Sequence, residues 1–204
     1  VQAQLEEIVV TARRASENLQ ESPAVITAFS EAAIESIGVS SMRDYAQLVP
    51  NMFMIETQNS SFTFVNIRGI TQMRNTDPSV AVIIDGVQQT NAIGMSQELY
   101  DIQQIEVLKG PQGALYGRNS IGGAINITTK RPTDEVEGFV RVGAGNGDSY
   151  KVQGAIGGPL IEDQLYGRLA ISYSDSAGVR PNVATGGKSD ARDSFSIRGR
   201  TIWE

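Results

Sequence analysis

A glycine-rich segment near the middle of the chain constrains the fold more than any other stretch. Residues 105–130 have the sequence IEVLKGPQGALYGRNSIGGAINITTK, with five glycines at positions 110, 113, 117, 122 and 123. The first apolar run stops at Gly110-Pro111, because proline cannot donate to a strand ladder. The second run alternates Ile125 and Ile127 with polar residues, which predicts a half-buried strand. We therefore expect a strand, tight turns with a short compact segment, and a second strand.

Two interpretations of the glycine density compete. A phosphate-binding loop would need G-x-G-x-x-G or G-x-x-x-x-G-K-[ST] between a strand and a helix, and neither pattern is present here. The run I-E-V-x-x-G-P-x-x-x-L-Y-G, followed by G-G-x-I-N-I-x-T, instead resembles the end of the plug domain of TonB-dependent outer-membrane receptors. In that family, these motifs close the plug just before the β-barrel begins.

The composition excludes several function classes. The net charge of −6 argues against a nucleic-acid partner, since phosphate binding requires a basic face. The chain has no cysteine and no histidine, which excludes thiol nucleophiles, histidine-based triads and ordinary zinc or haem sites. We expect no metal site, no cofactor and no enzymatic activity. An enzyme that used carboxylates such as Glu56, Asp77 and Asp85 is the least favoured alternative, because no motif supports it.

The sequence divides into three parts. Residues 1–22 form a flexible amino-terminal segment around one short β-forming run. Residues 23–132 combine short strands with two short helices. The first is predicted from Glu31 to Ile37 after a Ser30 cap, and the second, capped by Ser40 or Ser41, extends to about Val49. A further short helix is predicted at residues 97–101. The second part is therefore expected to be an α+β domain with a small mixed sheet.

The third part, residues 133–204, loses helical periodicity and alternates apolar with polar residues. Strands are predicted at residues 136–144, 150–157, 165–173 and 195–203, with a turn at residues 158–163. Strands of this length, with short turns alternating with long loops, are typical of a transmembrane β-barrel, and a soluble sandwich is the alternative. Four strands cannot close a barrel, so we expect the amino-terminal part of a larger receptor with an incomplete barrel.

The β-forming run near the amino terminus is an ordinary first strand in the simplest interpretation. The family resemblance implies instead a TonB box, an extended segment that pairs with the energy-coupling protein. An unpaired β-prone strand, separated from the core by the polar residues 17–22, is a template for strand addition. The residues predicted to bind the partner are Glu7, Ile8, Val9, Val10, Thr11 and Ala12.

Two polar loops, at residues 72–77 and 91–95, flank the most apolar strand of the second part. In related plugs the corresponding loops face outward and contact the ligand, whereas most polar loops are solvated connectors. The residues predicted to face a ligand are Gln72, Arg74, Asn75, Asp77, Asn91 and Met95.

The resemblance also implies a latch between plug and barrel. Arg68 belongs to the I-R-G element of the plug, and Lys109 precedes Gly-Pro where many relatives carry arginine. Together with Glu106, these residues are predicted to anchor the plug in the barrel. Arg68 and Lys109 would do so by pairing with glutamates of the barrel. Because lysine lacks the bidentate fork of arginine, we expect a looser latch.

The implied function is energy-coupled uptake of a scarce ligand, such as a ferric siderophore, across the outer membrane of a Gram-negative cell. The expected partners are a TonB-type energy-coupling protein, the ligand and outer-membrane lipid, with the plug inside the barrel and the amino terminus in the periplasm. The alternative is a plug-type ligand-binding or signalling module without transport.

Overall fold

The computed structural model describes residues 9–11, 17–19, 24–56, 63–72, 76–90, 98–183 and 186–204. The chain divides into two compact units, Val1–Thr129 and Lys130–Glu204. Among the described residues, no helix combines the length and the apolarity needed to cross a membrane.

The first unit combines short helices with several small sheets. Its elements are β1 (Val9–Val10), β2 (Glu17–Asn18), β3 (Ile26–Ser30), α1 (Glu31–Ile37), α2 (Met42–Ala46), β4 (Met52–Glu56), β5 (Thr63–Ile67), β6 (Val80–Ile84), β7 (Val87–Gln89), β8 (Ile102–Lys109), α3 (Gly113–Tyr116) and β9 (Gly123–Thr129). Five of them form a sheet of order β3-β8-β9-β6-β7, in which β6 and β9 are parallel and the other neighbours antiparallel. The predicted α+β domain with a small mixed sheet is confirmed.

The two longer helices begin where the sequence predicts. The Ser30 hydroxyl accepts a hydrogen bond from the Ala33 N–H at 3.4 Å, and Gly38 ends α1 in the left-handed region at φ 74°. Before α2, the Asp44 carboxylate accepts from the Ser41 N–H at 2.8 Å. This helix ends at Ala46 rather than Val49, because the following N–H groups turn back three residues, to the carbonyls of Tyr45 and Ala46.

The mixed sheet has two unlike faces. One face packs against both longer helices and the β4–β5 hairpin, and contributes Ile105, Val107, Ile125 and Ile127 to the main core. The opposite face carries a smaller apolar cluster of Ala81, Ile83, Leu108 and Ala124. Side chains alternate along a strand, so Gln104 and Glu106 share this second face with Leu108. Asn126 lies directly opposite Glu106 in the β8–β9 register.

The glycine-rich segment joins β8 to β9 through α3. The Gly110 N–H donates to the Gly122 carbonyl at 3.0 Å, and the Gln112 N–H donates to the Ser120 carbonyl at 2.8 Å. At Gly123, φ is 155° and a Cβ would overlap the Leu108 carbonyl oxygen. The predicted strand, turn and strand are confirmed, and at Gly123 glycine is required by the close approach of two backbones.

The short helix predicted at residues 97–101 is wrong over the residues that the structure describes there, 98–101. Glu98 forms an isolated antiparallel bridge with Ser41, and the Leu99 N–H donates to the Ser40 carbonyl at 2.9 Å. The backbone groups that a helix would need are therefore used in pairing with the chain before α2.

The second unit is an antiparallel sheet of four strands in sequence order, β10 (Glu137–Gly145), β11 (Ser149–Ile161), β12 (Leu165–Ser176) and β13 (Arg192–Trp203). One face presents exposed apolar side chains, with Val140 80% exposed, whereas Gln153, Arg168 and Ser172 are buried. The predicted antiparallel strands of an incomplete barrel are confirmed, because β10 and β13 do not pair with each other.

The turn predicted at residues 158–163 is wrong in its start. Strand β11 continues through Gly158 and Pro159 to Ile161, and Pro159 faces Tyr166 of β12. The register shifts between Pro159 and Ile161, which is the type of irregularity where a sheet tolerates a residue without an N–H.

The close approach at Gly123 gives a stability prediction. We expect Gly123→Ala to lower the free energy of unfolding of the first unit by about 2–4 kcal/mol, because a methyl group would collide with backbone. Gly113→Ala is the matched control, since no atom lies within 4 Å of its Cβ position, and it should change the free energy by less than about 1 kcal/mol. Amide hydrogen exchange of β8 and β9 measures both, and equal effects of the two substitutions would contradict the argument.

Candidate functional site

The predicted partner-binding segment is paired in the structure. Within β1, Val9 pairs with Asn18 and Val10 with Glu17 of β2. Val10 is fully buried at 0% exposure, whereas Val9 is 45% exposed. The expectation of an unpaired strand separated from the core is therefore wrong, because the polar residues 17–18 turn back and form its neighbour.

Two side chains of β8 bind the backbone of the same segment. The Thr11 N–H donates to Glu106 Oε1 at 2.5 Å. The Gln104 side-chain amide donates to the Val9 carbonyl at 2.8 Å. Since Gln104 and Glu106 are two residues apart, both project from the same face of β8 toward the segment.

Glu106 is the centre of a polar cluster. Its side chain is 0% exposed, and it accepts from Asn126 Nδ2 at 2.7 Å and from Gln104 Nε2 at 3.2 Å, besides Thr11. A buried carboxylate is tolerated when hydrogen-bond donors surround it. The sequence signal for this cluster is Leu108, two residues after Glu106, because alternate residues of a strand share a face and an apolar neighbour on that face predicts partial burial.

The structure brings Arg68 and Lys109 together. Arg68 Nη1 donates to the Lys109 carbonyl at 3.3 Å, and it would lie 3.4 Å from a Cβ at Gly110. Partial burial and then the nearby Arg68 charge hold the pKa of Lys109 below its ordinary value. Glu106 lies three residues from Lys109 and projects from the opposite face of β8. The contacts described for Glu106 are with the segment and the sheet, and its anchoring role stays a prediction.

The predicted ligand-facing residues are partly described. The Gln72 side-chain amide donates to the Thr76 carbonyl at 2.7 Å, so that it closes the first loop on itself. Asp77 is exposed and Gln72 half-buried. Their role stays a prediction. The remaining predicted site residues lie outside the described residues: Glu7, Ile8, Ala12, Arg74, Asn75, Asn91 and Met95.

Of the carboxylates considered for catalysis, Asp85 has a structural partner. It accepts from the Thr129 N–H at 2.9 Å and from the Thr129 hydroxyl at 2.7 Å. This contact fixes the end of β9 against the turn that follows β6.

Comparisons with known proteins identify the family of this chain. The model of the TonB-dependent receptor plug domain matches residues 18–124, which is 107 of the 204 residues. The pesticin receptor of Yersinia pestis is 30% identical over 182 residues, covering 88% of this chain and 27% of the receptor. The ferripyoverdine receptor of Pseudomonas aeruginosa is 29% identical over 170 residues, covering 82% of this chain and 20% of the receptor.

A solved structure shows the same fold. The crystal structure of the ferric yersiniabactin uptake receptor FyuA from Yersinia pestis matches with a TM-score of 0.78 and 28% identity, over 87% of this chain and 28% of that one. The chain thus spans about a quarter of the length of these relatives. With its family-model match, its mixed plug sheet and its open antiparallel sheet, the chain belongs to the TonB-dependent receptors.

Proposed function

We propose that the chain is part of an outer-membrane receptor that takes up a scarce small ligand, such as a ferric siderophore, with energy supplied by a TonB-type coupling protein. The relatives support this proposal, since they include a ferripyoverdine receptor and a ferric yersiniabactin uptake receptor. The receptor would lie in the outer membrane of a Gram-negative cell, with its amino terminus in the periplasm and without chemistry on the ligand.

The observation that carries the proposal is the way the predicted partner-binding segment, described over residues 9–11 and called the amino-terminal segment below, is bound to the sheet. Over the described residues 9–11, the segment pairs with β2 through Val9 and Val10 and contacts β8 through side chains rather than through a ladder. A strand that is not part of the main ladder can leave its position at a smaller cost than the unfolding of the sheet. Its backbone groups are then free to pair with a strand of the coupling protein, for which main-chain hydrogen bonds supply the affinity.

The second unit supports the membrane location. The side chains that alternate outward on one face are apolar and exposed: Val140, Val142, Ile156, Leu169 and Ile171. Buried polar residues, among them Gln153 and Ser172, occupy the alternate positions. An apolar outer face with a polar inner face is the pattern of a lipid-facing barrel wall. We therefore assign outer-membrane lipid as the partner of this face.

Proline in the segment tests the coupling role. We expect Val9→Pro to abolish energised accumulation of ligand while ligand binding at the cell surface stays normal, because proline removes a backbone donor from the pairing strand. Val9→Ile keeps the β propensity at this exposed position and should change accumulation less than about twofold. Both quantities are measured on cells that express the complete receptor.

Normal accumulation by the proline variant would reduce the segment to an ordinary first strand. Ligand binding without energised accumulation by the unmodified receptor would instead favour a plug-type binding module without transport.

The two polar loops are proposed to face the ligand. In the complete receptor, Asp77→Ala and Asn91→Ala should each weaken binding of a cognate ferric complex by about 3- to 30-fold, the range expected for one lost hydrogen bond. Ferric yersiniabactin and ferripyoverdine, the ligands in the names of the relatives, are the first probes. Thr76→Ala, in the same loop as Asp77, is the control and should leave the affinity unchanged. Wild-type affinity in the Asp77→Ala/Asn91→Ala double variant would show that the loops are solvated connectors.

The Arg68–Lys109 pair is proposed to anchor the plug to acidic residues of the barrel. If such residues face the pair, Lys109→Ala lowers the resistance of the plug to unfolding by about 1–3 kcal/mol and Lys109→Arg keeps or raises it. If they do not, Lys109→Ala relieves the repulsion from Arg68 and raises the resistance. The sign of the change, measured by denaturation of the complete receptor, therefore decides the anchoring role.

A further inference from the structure

The backbone groups of the amino-terminal segment are divided between its two edges. Along a strand, alternate residues direct their N–H and C=O groups to the same edge. Val9 and Thr11 therefore present their groups to one edge and Val10 presents its groups to the other. The Val9 carbonyl and the Thr11 N–H are the two groups that β8 side chains bind.

The two side chains reproduce the hydrogen bonds of a neighbouring strand. In a parallel ladder, one residue donates its N–H to the carbonyl of residue i−1 and accepts at its C=O from the N–H of residue i+1. Around Val10, the Gln104 amide supplies that donor and the Glu106 carboxylate supplies that acceptor, at 2.8 and 2.5 Å. A hydrogen bond of 3.2 Å from Gln104 Nε2 to Glu106 Oε1 joins the donor to the acceptor.

We propose that the side chains of Gln104 and Glu106 form an edge clasp, a substitute for the N–H and C=O of one residue of a neighbouring strand, that closes this edge of the segment at residues 9–11 until it is released. The proposal rests on the proposed function, because the competitor is the strand of the energy-coupling protein. That strand needs the Val9 carbonyl and the Thr11 N–H, so it and the clasp bind in mutual exclusion. The clasp therefore sets the affinity of the resting receptor for its coupling protein.

Burial makes Glu106 the stronger half of the clasp. Its carboxylate is fully buried and held from behind by Asn126 Nδ2 at 2.7 Å. Removal of a buried acceptor leaves its donors unsatisfied, which costs more than the loss of a half-buried donor. Gln104 is half-buried and donates a neutral bond, so we expect its removal to loosen the segment less than removal of Glu106 does.

Hydrogen exchange tests the clasp without any partner. In the complete receptor without ligand, Glu106→Ala should accelerate exchange of the Thr11 amide by at least about tenfold, and Gln104→Ala by about threefold. Glu106→Gln keeps an oxygen acceptor without the charge and should fall between the unmodified receptor and Glu106→Ala. Asp85→Ala is the matched control, because Asp85 accepts from a backbone N–H of β9 rather than of the segment.

Binding of the purified periplasmic domain of the coupling protein, measured on the same variants, tests the competition. We expect the affinity to rise by about the same factors as the Thr11 exchange rate, with no rise for Asp85→Ala. If Glu106→Ala does not fold, Gln104→Ala carries the test at the half-buried position.

The outcomes separate the two proposals. Unchanged Thr11 exchange in both Gln104→Ala and Glu106→Gln would contradict the clasp. If the unmodified receptor binds the coupling protein, faster Thr11 exchange in a variant without a higher affinity would also contradict it. Faster Thr11 exchange with no binding of the coupling protein to any form supports the clasp as a hold on the segment and overturns the proposed function.

Discussion

The buried carboxylate of Glu106 is the interaction that links the amino-terminal segment to the mixed sheet. It joins three parts of the chain, since it accepts hydrogen bonds from Thr11 of the segment, from Gln104 of its own strand and from Asn126 of β9. A carboxylate at 0% exposure is costly unless hydrogen-bond donors surround it. The same set of donors that satisfies the carboxylate therefore fixes where the amino-terminal segment lies on the sheet.

In the second unit, a buried arginine is paired with a glutamate. Arg168 Nη1 lies 2.8 Å from Glu137 Oε1, with the Arg168 side chain 2% exposed. Gly157 of β11 pairs with Glu137 on one side and with Arg168 on the other, and a Cβ there would lie 3.1 Å from Arg168 Nη1. The arginine reaches across an intervening strand because glycine leaves the space. In both units, a buried polar side chain is bound by a residue that lies far from it in the sequence.

Much of the fold is predictable from the sequence because it is set by neighbouring residues. The pairings between distant residues are not predictable in this way. The caps at Ser30 and Gly38 and the stop at Gly110-Pro111 are set by neighbouring residues, and the structure has them where the sequence predicts. The β1–β2 pair and the contacts with Gln104 and Glu106 join residues up to 95 positions apart. No periodicity signals such contacts. Pro159 ended a predicted strand for a sound local reason, but a register shift accommodates it.

The polar nature of the clasp is what makes the segment releasable. When the segment leaves, Glu106 keeps the hydrogen bonds from Asn126 and Gln104, so the carboxylate is not orphaned. For the described residues of the segment, 9–11, the cost of release is then about that of the bonds lost at Val9 and Thr11 and of the uncovering of Val10, a few kcal/mol, rather than the full penalty of an unpaired buried carboxylate. An equilibrium of that size can be shifted by a ligand or a partner with differential affinity for the two states. An apolar contact of equal area would hold the segment as firmly, but it would leave exposed apolar surface on the sheet after release. Because Gln104 and Glu106 are polar, the part of the sheet face that they occupy can be exposed to water while the segment is bound elsewhere.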